Sequence, residues 1–344
     1  MRRMNGKAVF AVLSGIVLSL LFLSPAKAAD NVKPVRVGLA LPTQQEERWI
    51  REMEMITEAG KAVGLEVRSQ ISRNDQNDQN RQIDLLLKDG IKVLILAPHD
   101  GAAAASAVKK AKDAGVWVIA YDRMIMGPDV NVYLSFDNVK IGELQGEYLT
   151  KLVPQGRYVL MSGAPTDDNA RLFKEGAMHF IQPLISRGDI EVVVDHPVVD
   201  WQPSNARKIV ENALMLAENK IDAVLAPNDG TASGAITALE AQGLAGKIPV
   251  SGMDAELTAA QRIVQGTQTF TIFKDTRDLS KKAVEIALMM VKGEDFLTLA
   301  GGATMKNDVK DVPAVLLPAH LVDRNNLDAL LIDSGYLKKE DVYQ

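Results

Sequence analysis

No cysteine occurs anywhere in the 344-residue sequence. Disulfides, zinc–thiolate sites, a thiol nucleophile and a lipid-modified N-terminal cysteine are therefore excluded. Histidine is scarce, and His99, His179, His196 and His320 stand without metal-ligand spacing; no metal is expected. Neither a G-x-G-x-x-G run after the first apolar strand nor a G-K-[ST] phosphate loop is present, so nucleotide binding lacks its mark and no cofactor is expected. The nucleophile elbow G-x-S-x-G is missing too. The polar run Asp75 to Asn80 lacks the glycine of a calcium loop and reads as a helix entry. Positive charge is not in excess: the formal net charge is −5, a poor basis for neutralising nucleic-acid phosphates.

One long apolar run is present, and it lies at the start. Arg2, Arg3 and Lys7 precede an apolar stretch from Ala8 to Leu23, and Ala26-Lys27-Ala28 forms an A-x-A cleavage signal. This pattern is that of a secretory signal peptide over residues 1–28, too short for a membrane span of about 20 residues. An exported, cysteine-free chain without an anchor is expected in the periplasm. About 315 residues remain, which at roughly 150 per domain suggests two domains.

From Val35 onward short apolar runs alternate with helical spacing. Val35–Leu41, Val93–Ala97, Val116–Tyr121 and Val132–Phe136 read as strands of a first series. Arg157–Met161, Ile190–Val194, Ala223–Ala226, Pro249–Gly252 and Thr269–Phe273 read as strands of a second. Between them lie runs with apolar residues at helical spacing, such as Trp49, Met53, Ile56 and Val63. Continuous apolar strands alternating with helices predict doubly wound parallel sheets, here two α/β lobes. The tail from His320 to Gln344 is mixed polar and reads as surface-packed.

In such sheets ligands bind beyond the carboxyl ends of the strands. The first strand is followed by Arg48 and Trp49, the strand at 116–121 by Asp122 and Arg123, and Met161 by Asp167, Asp168 and Asn169. Asn228 follows Ala226, Asp254 follows Ser251, Lys274 follows Phe273, and Trp201 precedes a helix. Each has an ordinary structural alternative. Asp122-Arg123 is also read as a surface ion pair, Trp49 as a core residue, Asp229 and Asp254 as helix N-caps, and one of 167–169 as the cap of the next helix. Taken together, carboxylates, amides, cations and two indoles suit a neutral polyhydroxylated ligand, because a hydroxyl both gives and accepts hydrogen bonds. Asp122 and Asp254 do not suit a glycosidase pair, which needs one carboxyl with a raised pKa, whereas basic residues crowd both; the chain is not expected to be an enzyme.

Several stretches resemble the sugar-binding periplasmic proteins of ABC importers, the pentose/hexose group. They include Glu47-Arg48-Trp49, Ala120–Ile125, Tyr133–Asn138, Gly142–Gln145, Val153–Gly156, Asn169–Phe173, Lys220–Val224, Gly266–Thr269 and Lys310–Pro313. The resemblance implies a type I periplasmic binding protein fold, two doubly wound parallel-sheet lobes joined by a three-segment hinge. It implies a monosaccharide ligand, D-xylose first, with glucose, galactose, ribose or arabinose as alternatives. By position it carries ligand binding onto Arg48, Trp49, Asp122, Arg123, Asp167, Asn169, Trp201, Asn228, Asp254 and Lys274. It further implies a monomer that closes on its ligand and delivers it to an ABC permease with its ATPase, with a chemoreceptor or sensor kinase as another recipient. The expected lobes are 29–136 plus about 268–300, and 137–267 plus about 310–344. The crossings are expected near Phe136-Asp137, within 254–268, and within 297–312.

Overall fold

The structure is a computed structural model, described over residues 34–344. The signal-peptide reading at 1–28 lies outside the described residues. The first half runs β1 (Val35–Leu41), α1 (Glu47–Ala62), β2 (Leu65–Ile71), α2 (Gln76–Lys88), β3 (Val93–Leu96), α3 (Ala105–Asp113), β4 (Trp117–Tyr121) and β5 (Val132–Phe136). There follow α4 (Asn138–Leu152), β6 (Gly156–Ser162), α5 (Asp168–Arg187), β7 (Ile190–Pro197), α6 (Pro203–Leu216), β8 (Ala223–Leu225), α7 (Asp229–Glu240) and α8 (Leu257–Gln265). The chain ends with β9 (Phe270–Phe273), α9 (Thr276–Lys292), β10 (Thr304–Lys306), β11 (Asp311–Leu317), β12 (His320–Asp323) and α10 (Lys339–Val342).

Local chemistry sets these boundaries. Asp75 accepts a bond from the Asp78 backbone at the start of α2, which is the helix entry expected of that run. Asp137, Asp167 and Asp275 cap α4, α5 and α9 in the same way. Asn228 and Thr231 form a reciprocal capping box on α7. The tight α4–α5 packing rests on small residues: a Cβ on Gly142 or Gly176 would lie 2.0 Å from the facing helix's carbonyl oxygen.

The larger sheet has the order β10-β11-β5-β4-β3-β1-β2, parallel except for the β10–β11 pair. Strands β3, β4 and β5 are buried along almost their whole length between α2 and α3 on one side and α1 and α9 on the other. The second sheet begins β7-β6-β8. Val250 bridges to Val224, Ile272 N–H bonds to Gly252, and β9 pairs antiparallel with β12. The expected two-lobed, doubly wound arrangement is the one found.

The pairing corrects the lobe boundaries. Strand β9 was expected in the first lobe but joins the second sheet, while α9 after it packs on β3, β4 and β5. Strand β11 was expected in the second lobe but pairs in parallel with β5. The chain therefore crosses between β5 and α4, between β9 and α9, and between β11 and β12. Only the first of the three expected crossings coincides. An apolar strand carries no mark of which sheet it joins, so register with a neighbour decided the matter. Two smaller readings change as well. Pro249–Gly252 makes an isolated bridge rather than a strand, and the tail is not merely superficial. Its β12 lies in the sheet, and Leu327, Leu331, Tyr336, Leu337 and Val342 bury together beside α8.

Candidate ligand-binding site

The carboxyl ends of β1 and β4 in the first sheet face those of β6, β7, β8 and β9 in the second. Between them lies a cavity whose empty space, together with the solvent at its open side, is about 300 Å³. Each of the residues singled out from the sequence, Arg48, Trp49, Asp122, Arg123, Asp167, Asn169, Trp201, Asn228, Asp254 and Lys274, lines it. Glu46, Phe173 and Met253 line it too and were not singled out. Glu46 lies one turn before Trp49, and Phe173 one turn after Asn169, so helical spacing from a chosen residue was the available signal.

Arg48 is the hub. Its Nε donates to Glu52 Oε1 at 2.6 Å, its Nη2 to Asp122 Oδ2 at 2.8 Å, and its Nη1 lies 3.5 Å from Asp254 Oδ1 across the cavity. Lys274 Nζ stands 3.0 Å from Asp254 and 3.9 Å from Asp122. Arg123 Nε pairs with Asp167 Oδ2 at 2.9 Å, joining the two sheets directly. Asp122-Arg123 is therefore not a surface pair: both side chains are buried, and each finds its partner elsewhere. Burial pushes the Asp122 carboxyl up, but Arg48, Lys274 and Arg123 together outweigh it and hold the group at about 2. Burial, helped by the charge of Asp122 or Asp254, wins at Glu52, Glu46 and Asp167, whose carboxyls are pushed up against the pull of Arg48 or Arg123.

The turn carrying Asp122 is strained, with φ 60° in the left-handed region. Three donors converge on its carbonyl to hold it there: Ser135 Oγ at 2.7 Å, Tyr133 Oη at 3.1 Å and Asn169 Nδ2 at 3.0 Å. Asn169 thus both lines the cavity and braces the opposite sheet's strand end. Asp254 has φ 99° and caps no helix. Asp229 is not the cap of α7 either; Asn228 is, through its Oδ1. Asp167 caps α5 and also pairs with Arg123, so the structural and site readings are both true of it. Trp49 is likewise both, packed in the main core while its ring carries the Arg48 guanidinium 4.4 Å from its centroid.

Two polar atoms of the cavity-lining residues are buried without a hydrogen-bond partner: Trp201 Nε1 and Asp254 Oδ1. The latter is nonetheless ion-paired, 3.0 Å from Lys274 Nζ and 3.5 Å from Arg48 Nη1, so of the two only the indole N–H is without any partner. A buried, unsatisfied donor is costly.

A model of the periplasmic binding protein domain matches residues 37–295. The chain belongs to the periplasmic binding proteins. This periplasmic binding protein is 42% identical over 314 residues to the D-xylose-binding periplasmic protein of Escherichia coli, covering 91% of this chain and 94% of that one. It is 33% identical to a multiple sugar-binding periplasmic receptor of Rhizobium radiobacter, covering 98% and 99%. Its fold matches a carbohydrate transporter solute binding protein from Chloroflexus aurantiacus, in complex with D-glucose, with TM-score 0.81 and 34% identity over 89% and 97% of the two chains. The fold is that of the type I periplasmic binding proteins, which serve ABC transport as binding components rather than enzymes.

Proposed function

We propose that this protein captures a single monosaccharide between its two sheets, D-xylose first, and delivers it in the periplasm to an ABC permease and its ATPase. The observation that carries the reading is the cavity wall. Cations and carboxylates pair across it, and the Trp201 indole N–H is left over. A sugar hydroxyl gives one hydrogen bond and accepts others, so a neutral polyol completes this network without adding a net charge to a buried site. Bonds to charged groups contribute roughly 1.5–3 kcal/mol each before costs. Trp49, Trp201 and Phe173 supply apolar surface for the ring's carbon faces.

The clamp comprises Arg48, Trp49, Asp122, Arg123, Asp167, Asn169, Trp201, Asn228, Asp254 and Lys274, with Glu46 and Phe173 added. The protein acts as a monomer after cleavage near Ala28. Similarity to the D-xylose-binding periplasmic protein of E. coli is the reason for taking D-xylose before glucose, galactose, ribose and arabinose. Calorimetric titration of the purified protein with these five sugars tests the reading. We expect D-xylose to bind at micromolar or tighter dissociation constants, about −8 kcal/mol or better. Failure of all five to bind at that level overturns the proposal, and tighter binding of another overturns only the choice of sugar. A chemoreceptor or sensor kinase is the alternative recipient of the closed form. Separate assays of uptake and chemotaxis in a gene deletion distinguish the two roles.

A further inference from the structure

The loop between β1 and α1 holds Gln45, an exposed residue that does not line the cavity. Its Nε2 donates to the Trp201 carbonyl at 3.2 Å, reaching from the first sheet's side to the second. The same Nε2 lies 3.4 Å from Glu46 Oε1, and Glu46 Oε2 accepts from Trp49 Nε1 at 3.1 Å. The backbone N–H of Gln45 is itself tied to Thr43 Oγ1 at 3.0 Å. A continuous path of hydrogen bonds therefore joins the Trp49 indole to the Trp201 backbone carbonyl over the lip of the cavity, through Glu46 and Gln45.

The far end of this path is a turn under strain. Asp200 and Trp201 are consecutive non-glycine residues at φ 55° and 56°. Left-handed backbone of this kind persists only where its surroundings over-determine it. Within its own sheet the turn is held by Trp201 N–H to the Val198 carbonyl at 3.1 Å, and by the indole lying over Gly163, where a Cβ would sit 2.0 Å from the ring. Gln45 supplies the tie from the other sheet. His99 also approaches, with Nε2 4.0 Å from Asp200 Oδ1. Burial lowers the His99 pKa, so at neutral pH that ring is uncharged and attracts Asp200 only weakly.

We propose that Gln45 is a positioning residue that straps the strained Val199–Trp201 turn to the Trp49 wall, so that the second indole is set in place by closure and ligand leaves only when the strap breaks. The inference rests on the sugar-binding reading above. Trp201 lines the cavity, whereas Gln45 acts through the Trp201 backbone.

Stopped-flow tryptophan fluorescence with D-xylose, or D-glucose if only that sugar binds, tests it. Gln45→Ala raises the dissociation rate about fivefold, the loss of one neutral hydrogen bond, and leaves the association rate within about twofold, as most affinity differences at one interface reside in dissociation. Gln45→Glu, which keeps the shape and removes the amide donor, gives the same acceleration. Asp200→Gly relieves the left-handed strain, so in that background Gln45→Ala accelerates dissociation by roughly twofold at most, because glycine adopts positive φ readily. Urea unfolding of the free protein is unchanged by Gln45→Ala, since the residue is exposed. An unchanged dissociation rate in a sugar-binding Gln45→Ala variant, a change confined to association, or full additivity with Asp200→Gly overturns the strap. Absence of sugar binding by the unaltered protein overturns the functional reading first, and the strap with it.

Discussion

Arg48→Met lowers the folding stability of the free protein by roughly 3–5 kcal/mol, the range for removing one partner of a buried ion pair. Arg48 and its partners Glu52 and Asp122 all belong to the first sheet's side, on α1 and just after β4. The penalty therefore falls on folding whether or not the cavity is closed. Methionine fills comparable volume, so the loss comes from charge. Glu52, which also accepts from Tyr121 Oη, and Asp122 are left facing each other without a cation between them. Their sign sets the pH dependence. With Arg48 in place, Asp122 is held at about 2, below its ordinary 3.8. A depressed carboxyl contributes stability that is present above the unfolded pKa and lost as pH falls through the folded one. Without Arg48, the largest of the cations holding it down, that contribution shrinks, so the deficit of the variant is larger at pH 7 than at pH 3. Urea unfolding at the two pH values reads it. A deficit below about 1 kcal/mol at pH 7 would show that Arg48 is not the hub of the buried charges.

Arg123→Ala behaves in the opposite way: sugar affinity falls by two orders of magnitude or more, while the free protein unfolds at nearly the same urea concentration. Arg123 pairs with Asp167 across the two sheets, so its loss penalises the closed form. Truncating one partner of a buried pair at an interface costs roughly 2–5 kcal/mol. Its other polar contact, to the Pro98 carbonyl at 3.3 Å, is long and contributes little to the first lobe. If Arg123→Ala instead destabilises the free protein as much as Arg48→Met does, the residue belongs to the fold of one lobe and not to its closure. The contrast between the two arginines thus separates charges that build a lobe from charges that join two.

Much of the site was legible because the rule that produces it is local. A parallel strand buried on both faces must be apolar to its end, and the first polar residues after it stand at the edge where the two sheets meet. That logic selects Arg48, Asp122, Asp167, Asn228, Asp254 and Lys274 without knowledge of their partners. It says nothing of pairing across the gap. The Arg48–Asp254 and Arg123–Asp167 contacts join residues far apart in sequence, and no spacing encodes them. Nor does spacing reveal that the Asp122 carbonyl receives three donors or that Asp200 and Trp201 share a left-handed turn. The lobe boundaries failed for a related reason. Phe270–Phe273 and Asp311–Leu317 are apolar strands of ordinary length, and either sheet would accept them; only backbone register assigns them. The buried tail was missed because Leu327, Leu331, Tyr336 and Leu337 are separated by enough polar residues to read as surface.

The crystal structure of the protein grown with D-xylose measures the central claim most directly. One pyranose is expected inside the cavity, hydrogen-bonded to Asp122, Arg123 or Lys274 on one side and to Asn228, Asp254 or the Trp201 indole N–H on the other, so that both sheets hold the same ring. A sugar bound outside the cavity, or held by residues of one sheet alone, contradicts it.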